Sequence, residues 1–138
     1  MPEEYTTPDL TVLVQQIVAA TNARDFEAVI SFYAPDASLD AWGIGMHQGR
    51  AAIRGLYEDW WAMYEDHQQE AKEIRDLGNG VIFVVVLQRA RLPDTTGALH
   101  NRYAAVATWV NGLIEKQTNY QDIDKAHAAA ERLAEERG

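Results

Sequence analysis

The first third of the chain carries apolar residues at helical spacing. Thr7 followed by Pro8 is typical of a helix start, and the stripe after it predicts a helix ending near Asn22. That stripe consists of Leu10, Leu13, Val14, Ile17 and Val18. Asp25 is placed to cap a second, short helix that Pro35 ends. Its apolar residues are Phe26, Val29, Ile30 and Tyr33.

A third helix is predicted to start near Gly49, and its apolar face is unusually aromatic. The face consists of Ile53, Leu56, Tyr57, Trp60, Trp61 and Tyr64. So many rings on one helical face must be buried or must bind something. Before this helix, residues 38–42 read as a short strand, and Gly43 and Gly45 form the loop that leaves it.

The second half of the chain changes to the period of β-strands. Strands are predicted over residues 67–77, 81–92, 99–110 and 113–121. Glycine turns at 78–80 and 111–112 and a turn over 92–97 separate them, which predicts hairpins. Asp124 is placed to cap a final helix whose weak stripe would either fray or dock on a partner. That stripe consists of Ala126, Ala129, Ala130 and Leu133.

Helices followed by hairpin-linked strands indicate one α+β domain across residues 1–138. Hairpins imply antiparallel pairing, and strands of this length must twist into a curved sheet. The concave face of such a sheet must be covered, and the three N-terminal helices are the available cover. We therefore expect a cone-like roll that encloses an apolar pocket, with a short helix at its C-terminus.

Composition excludes several classes of partner. The net charge of −9 argues against binding to nucleic acid or to an anionic membrane surface. The longest apolar run, residues 81–87, is too short to span a bilayer. The acidic N-terminus lacks the features of a signal peptide, so we expect a cytoplasmic protein. The absence of cysteine excludes disulfides and thiolate chemistry.

Three stretches resemble one known superfamily. They are VQQIVAATNARDFEAVISFYAPDASLD at 14–40, GRAAIRGLY at 49–57 and NGLIEKQTNYQD at 111–122. They are similar to the nuclear-transport-factor-2-like superfamily, in its SnoaL-like, ketosteroid-isomerase-like branch. The resemblance implies the roll described above and a pairing of sheet to sheet, hence a homodimer through the outer sheet face. It implies little about function, because this fold hosts several chemistries and domains without any.

The catalytic groups of the resembling enzymes are missing here. The ketosteroid isomerase pattern wants a tyrosine and two aspartates where this chain has Ile17, Ala41 and Val106. The limonene-epoxide-hydrolase pattern wants a carboxylate where this chain has Asn119. The resemblance therefore implies a pocket without supplying a mechanism. Steroid isomerisation is rejected on the same ground.

Two titratable residues are the candidates for catalysis. Asp40 would be a base if it faces the pocket, whereas it is a solvated carboxylate if Ala41 faces the pocket instead. His47 lies in the glycine-rich loop and would serve as acid or base at the pocket mouth, or else it is an exposed loop histidine. The other histidines have no partner at metal-ligand spacing, so no metal site is predicted.

Seven residues are predicted to bind a ligand. Aromatic side chains would line an apolar wall, and the closing strand would aim its amides inward. Arg102 would pair with a carboxylate ligand or with Asp40, unless it lies on the outer sheet face and pairs with Glu115 or Asp94. The predicted set is Tyr33, Tyr57, Trp61, Gln88, Arg102, Gln117 and Asn119.

The sequence thus predicts a small-molecule pocket protein for a small apolar or carboxylate-bearing ligand. If it is an enzyme, acid/base isomerase, cyclase or hydrolase chemistry is expected, without a cofactor, because no phosphate loop or dinucleotide fingerprint is present. The alternative is a non-catalytic domain for ligand binding or dimerisation. An open cavity holding Asp40 or Arg102 favours ligand chemistry, whereas a cavity filled by Trp60, Trp61 and Tyr64 favours association.

Overall fold

A computed structural model describes residues 9–93 and 97–138 of the chain. Its helices are α1 (Leu10–Asn22), α2 (Phe26–Ile30), α3 (Arg50–Ala62) and α4 (Ile123–Arg137). Its strands are β1 (Tyr33–Ala41), β2 (Gly45–Gln48), β3 (Glu65–Asp76), β4 (Val81–Arg91), β5 (Ala98–Val110) and β6 (Leu113–Tyr120). Within these residues, no helix has the length and apolarity needed to cross a bilayer.

Aspartates cap three of the helices. Asp9 accepts a hydrogen bond from the backbone of Thr11 at 3.0 Å, and the cap predicted at Thr7 and Pro8 lies outside the described residues. Asp25 caps α2 as predicted, accepting from the backbone N–H of Ala28 at 3.1 Å. The cap predicted for α4 was wrong by two positions, because Asp122 and not Asp124 accepts from the helix backbone.

The chain enters the sheet earlier than its periodicity predicts. Tyr33 was expected on the second helix, but it is the first residue of β1, and Pro35 lies inside that strand. The segment Gly45–Gln48, expected as loop, is a strand that pairs with β1. Both differences arise because strand pairing on either side of β1 supplies hydrogen bonds that a local pattern cannot anticipate.

The six strands form one sheet in the order β2-β1-β6-β5-β4-β3. β1 and β6 are parallel, whereas every other neighbouring pair is antiparallel. The predicted α+β class is therefore confirmed, and the sheet is mixed because of its one parallel pair. Helices α1 to α3 cover one face, which we call the inner face, and side chains of β4 alternate across the sheet. Ile82, Val84 and Val86 enter the core under these helices.

The outer face carries a second apolar cluster, and α4 covers it. Ala126, Ala130 and Ala134 pack there with β4 residues such as Phe83 and Val85. The final helix therefore docks on its own sheet, with Ala134 rather than Ala129 among its buried alanines. The predicted homodimer would use this outer face, part of which α4 occupies, and it stays a prediction.

Candidate functional site

A cavity of about 460 Å³ opens on the inner face of the sheet. We call it the outer cavity, to distinguish it from a smaller, deep cavity on the same face. It lies between the end of α3, the β1–β2 hairpin and the end of the sheet where β4 finishes and β5 begins. None of the described residues that line it is charged. Its lining consists of Ala41, Trp42, Gly43, Ile44, Leu56, Trp60, Met63, Tyr64, Gln88, Leu99, Asn101, Tyr103, Asn119, Tyr120 and Gln121.

Aromatic side chains from α3 form the apolar wall of the outer cavity. Trp60 and Tyr64 line it, and the Trp60 ring contacts that of Tyr103, which also lines it, with the ring centroids 5.9 Å apart. Trp61 was predicted to bind the ligand, but it is 0% exposed and lines no cavity. Consecutive residues on a helix point about 100° apart, so Trp60 and Trp61 cannot share one surface. The cavity is therefore lined, and not filled, by the tryptophan face.

Amide side chains form the opposite wall as a hydrogen-bonded row. Gln121 donates to Asn101 Oδ1 at 3.3 Å, and Asn101 donates to Gln88 Oε1, also at 3.3 Å. The Gln88 amide nitrogen in turn lies 2.9 Å from His67 Nε2. Gln88 thus lines the outer cavity, and its orientation is fixed by partners on both sides.

A second polar network runs deeper, between β1, α3 and β6. The Tyr33 hydroxyl donates to Gln117 Oε1 at 2.7 Å and lies 2.9 Å from the Tyr57 hydroxyl. Gln117 donates from its amide nitrogen to Asn119 Oδ1 at 2.9 Å. Burial raises the pKa of both tyrosines, so they are neutral phenols at neutral pH. Four of the predicted ligand-binding residues are thereby joined in one network.

A smaller cavity, which we call the deep cavity, lies under α1. Its volume is about 70 Å³, and Tyr103 lines both cavities. Tyr33, Tyr57 and Gln117 line the deep cavity, whereas Gln88 and Asn119 line the outer one. The two cavities therefore divide the predicted aromatic and amide residues between them.

Asp40 does not face either cavity. It lies between Leu39 and Ala41, both buried in the core of the inner face, so alternation turns Asp40 to the outer face. Ala41 lines the outer cavity. The structure therefore has the second arrangement considered for this strand, in which Ala41 faces the pocket and Asp40 does not.

His47 and Arg102 also lie outside the two cavities. His47 lines a neighbouring groove of about 320 Å³ beside α3, with its Nδ1 atom 3.1 Å from the backbone oxygen of Gly45. Arg102 is exposed and pairs with Leu87 in the sheet, on the opposite face from Asn101 and Tyr103. A carboxylate ligand held by Arg102 inside the pocket is therefore not compatible with this geometry.

Sequence reasoning missed His67, which is 1% exposed. Its ring contacts Trp60, Trp61 and Tyr64. Burial, together with the positive charge of Arg24, lowers the pKa of His67 to about 4, so the ring is neutral at pH 7. The signal available in the sequence was strand alternation, because His67 and Gln69 lie on the same face of β3 and Gln69 lines the deep cavity. In the described part of the chain, no cluster of acidic and histidine side chains is arranged to hold a metal ion.

A β-bulge decides which residues of β6 face inward. Strand alternation aims Glu115, Gln117 and Asn119 to the same side, but Glu115 is exposed, and Ile114 is buried in the inner core. The register of β5 and β6 shifts between Thr108 and Trp109. Because β6 has one extra residue at this bulge, its side chains before the bulge lie on the opposite faces from those that simple alternation predicts. The side chains after the bulge lie on the predicted faces.

Comparisons with known proteins place this geometry in a family. Residues 14–117 match the family profile described as a SnoaL-like domain. The sequence has no significant match among curated proteins.

Three solved structures illustrate the shared fold. A protein from Catenulispora acidiphila with a ketosteroid isomerase-like fold, in complex with trimethylamine, is 18% identical over 83% of this chain and 86% of its own, with a TM-score of 0.73. TerC co-crystallised with polyporic acid is 16% identical over 86% of this chain and 95% of its own, with a TM-score of 0.69. A polyketide cyclase homologue from Xanthomonas campestris pv. campestris is 21% identical over 87% of this chain and 95% of its own, with a TM-score of 0.68.

Proposed function

Because the chain belongs to the SnoaL-like domain family, we propose that it is a pocket protein for a small, uncharged and mostly apolar molecule. The observation that carries the proposal is the outer cavity, where aromatic rings face a row of hydrogen-bonded amides. Its volume of about 460 Å³ falls within the range of small-molecule sites. Apolar walls supply affinity in such sites, and a few fixed polar groups orient the ligand.

The charge of the ligand follows from the cavity walls. The residues that line the two cavities carry no formal charge at neutral pH. An ionised ligand would lose its hydration there without gaining a counter-ion. Polar recognition is therefore left to amide and phenol groups, which suit carbonyl, ether and hydroxyl oxygens. A carboxylate-bearing ligand, which Arg102 would have favoured, finds no counter-ion among the described lining residues.

The same walls favour binding over acid/base catalysis. Among the residues that the structure describes, no carboxylate or histidine lines either cavity, whereas a general base must lie within hydrogen-bond reach of the proton that it removes. The neighbours with bound trimethylamine and polyporic acid support a ligand site in this fold. Among the two alternatives left by the sequence, ligand binding is the function that the cavity supports best.

The proposal is tested by isothermal titration calorimetry with three naphthalene probes of different charge. Acetylnaphthalene is neutral, naphthoate is an anion and naphthyltrimethylammonium is a cation. We expect the neutral probe to bind tightest to the wild-type protein. Tightest binding of the anion contradicts the proposal. Tightest binding of the cation contradicts it as well, and indicates instead that the aromatic rings hold organic ammonium groups.

A pair of substitutions locates the binding site. Asn119→Leu removes an amide that lines the outer cavity, and we expect it to weaken acetylnaphthalene binding by roughly two- to tenfold. Gln16→Leu makes the same kind of change at an exposed position on α1 and serves as the matched control. Equal affinities for both variants place the probe outside the outer cavity.

A further inference from the structure

The hydrogen bonds behind the outer cavity run in one direction and end at Asn119. The Tyr33 hydroxyl donates to Gln117 Oε1 at 2.7 Å, and Gln117 Nε2 donates to Asn119 Oδ1 at 2.9 Å. The Tyr57 hydroxyl lies 2.9 Å from that of Tyr33. Tyr57 is the donor in this contact, because the Tyr33 proton is already used in the bond to Gln117. We call this series, from Tyr57 through Tyr33 and Gln117 to Asn119, the relay.

The buried end of the relay disfavours the opposite direction. If both amides were turned over, Tyr33 would have to donate to Tyr57, whose own proton would then have no acceptor among the described residues. Tyr57 is 8% exposed, and a buried donor without an acceptor costs roughly 1–3 kcal/mol. Burial raises the pKa of both tyrosines, so each phenol keeps the proton that it donates. The two tyrosines therefore determine how the amides are turned.

This direction determines which atom of Asn119 is available to a ligand. The Oδ1 atom accepts from Gln117, which lines the deep cavity and not the outer one, whereas Asn119 itself lines the outer cavity. The Nδ2 atom makes no hydrogen bond to the residues that the structure describes. Because an amide nitrogen carries two N–H donors, the free polar atom of Asn119 in the outer cavity is a donor.

We propose that Asn119 Nδ2 donates a hydrogen bond to an acceptor oxygen of the ligand, and that Tyr33 and Gln117 position Asn119 for this bond. The inference rests on the proposed function, because the ligand must occupy the outer cavity. It narrows the ligand from any small neutral molecule to one that carries a carbonyl or ether oxygen on an apolar body. Asn119 is then the residue that selects for the acceptor, and Tyr33 and Gln117 are positioning residues.

The test compares acetylnaphthalene with isopropenylnaphthalene, in which a methylene group replaces the carbonyl oxygen. Both are titrated calorimetrically into the wild-type protein and two variants, and we expect the wild-type protein to bind the ketone tighter by roughly two- to tenfold. Asn119→Leu removes the donor and should abolish this preference without weakening the hydrocarbon. Tyr33→Phe keeps the ring but releases Gln117, whose Oε1 atom can then turn to accept from Asn119 Nδ2. This variant should therefore reduce the preference.

Infrared spectroscopy of bound acetylnaphthalene with an isotope-labelled carbonyl group reports the hydrogen bond itself. A donor on the oxygen lowers the stretching frequency of a carbonyl group. We expect the frequency to rise in Asn119→Leu and to rise in part in Tyr33→Phe. A packing defect alone would weaken both probes and leave the frequency unchanged, which would contradict the positioning role of Tyr33.

Thr108→Val is the matched control for Tyr33→Phe. It also removes a buried hydroxyl with little change in size, because Thr108 is 4% exposed, and Thr108 lines neither cavity. We expect this variant to keep both the ketone preference and the carbonyl frequency of the wild-type protein. Equal loss of the preference in Thr108→Val and Tyr33→Phe overturns the positioning role, since a general loosening of the protein then explains both.

The outcomes separate this inference from the proposed function. If both probes bind equally well to the wild-type protein, the donor role of Asn119 is wrong and the pocket function stands. If neither probe binds, the proposed function fails and the inference fails with it. An unchanged ketone preference in Asn119→Leu overturns the inference alone. If Tyr33→Phe does not fold, Gln117→Met removes the donor to Asn119 Oδ1 at similar length and decides the positioning role by the same criterion.

Discussion

The imidazole of His67 stacks on the indole of Trp61, with ring centroids 3.9 Å apart and 27° between the ring planes. The other side of the histidine is held by Gln88, which begins the amide row of the outer cavity. Apolar burial of this kind favours the neutral imidazole. The tryptophan face of α3 therefore supports the polar wall of the cavity through a histidine that does not itself line it.

The lowered pKa of His67 predicts a pH dependence of stability. Its folded pKa of about 4 lies below the ordinary value of 6.5, so the unfolded chain binds more protons between these two values. The free energy of unfolding therefore falls as the pH falls through this window. From pH 7 to pH 5 this group contributes a loss of about 2 kcal/mol.

Urea denaturation of His67→Gln at both pH values checks this expectation. The variant should lose about 2 kcal/mol less than the wild-type protein between pH 7 and pH 5, because the titrating ring is gone. His100→Gln changes an exposed histidine and should keep the wild-type dependence. Identical pH dependence in His67→Gln and wild-type protein contradicts the assignment of the buried neutral ring.

The turn before β4 is predicted to tolerate no side chain at Gly80. An added Cβ atom would lie 2.5 Å from the backbone oxygen of Trp109, and φ is +79°. Gly78 in the same turn has φ of +86° but open space around its added Cβ. We expect Gly78→Ala to cost about 1–2 kcal/mol of unfolding free energy through strain alone. Gly80→Ala should cost about 1–3 kcal/mol more through the clash, and equal losses in denaturation would rule out this close approach.

The packing of α4 on the outer face predicts a position-dependent effect of charge. Ala130 is 0% exposed in the outer cluster, so Ala130→Glu buries an unpaired carboxylate and should cost about 3 kcal/mol or more. Ala128 is exposed on the same helix, and Ala128→Glu should change stability by less than about 0.5 kcal/mol. Thermal denaturation compares the two. Similar melting temperatures would mean that α4 does not dock as described.

The outward position of Asp40 predicts that its charge is irrelevant to the cavity. Asp40→Asn should leave the affinity for acetylnaphthalene within about twofold of the wild-type value, because alternation keeps the side chain on the other face of the sheet. Calorimetric titration measures this against Asn119→Leu, which changes the cavity itself. A tenfold loss in Asp40→Asn would restore the aspartate as a pocket residue.

Local sequence patterns predicted the helices and hairpins well, because their signals are local. The apolar stripe of the helix that ends at Asn22, the cap at Asp25 and the glycine turns at 78–80 and 111–112 act over a few residues. The fold class followed from the order of these elements, helices before hairpins. The missed elements depend on pairing between strands, because Gly45–Gln48 pairs with β1 and Tyr33 pairs with Ile114 of β6.

The sequence predicted several residues of the candidate site but left open which face of the sheet some of them occupy. Tyr33, Tyr57 and Gln117 meet in one network, although the helix expected at Tyr33 is absent there. Asp40 and Arg102 each lie next in sequence to a residue that lines the cavity. A shift of one residue turns a strand side chain to the other face of the sheet. Periodicity leaves that choice open, and only the register of neighbouring strands decides it.

The most direct test of the proposed pocket is a crystal structure of the protein with acetylnaphthalene. We expect the naphthalene rings in the outer cavity, between Trp60 and the amide row of Gln88, Asn101 and Gln121. Density for the probe in the groove beside His47, or on the outer face near Arg102, would contradict the claim that the inner face holds the ligand.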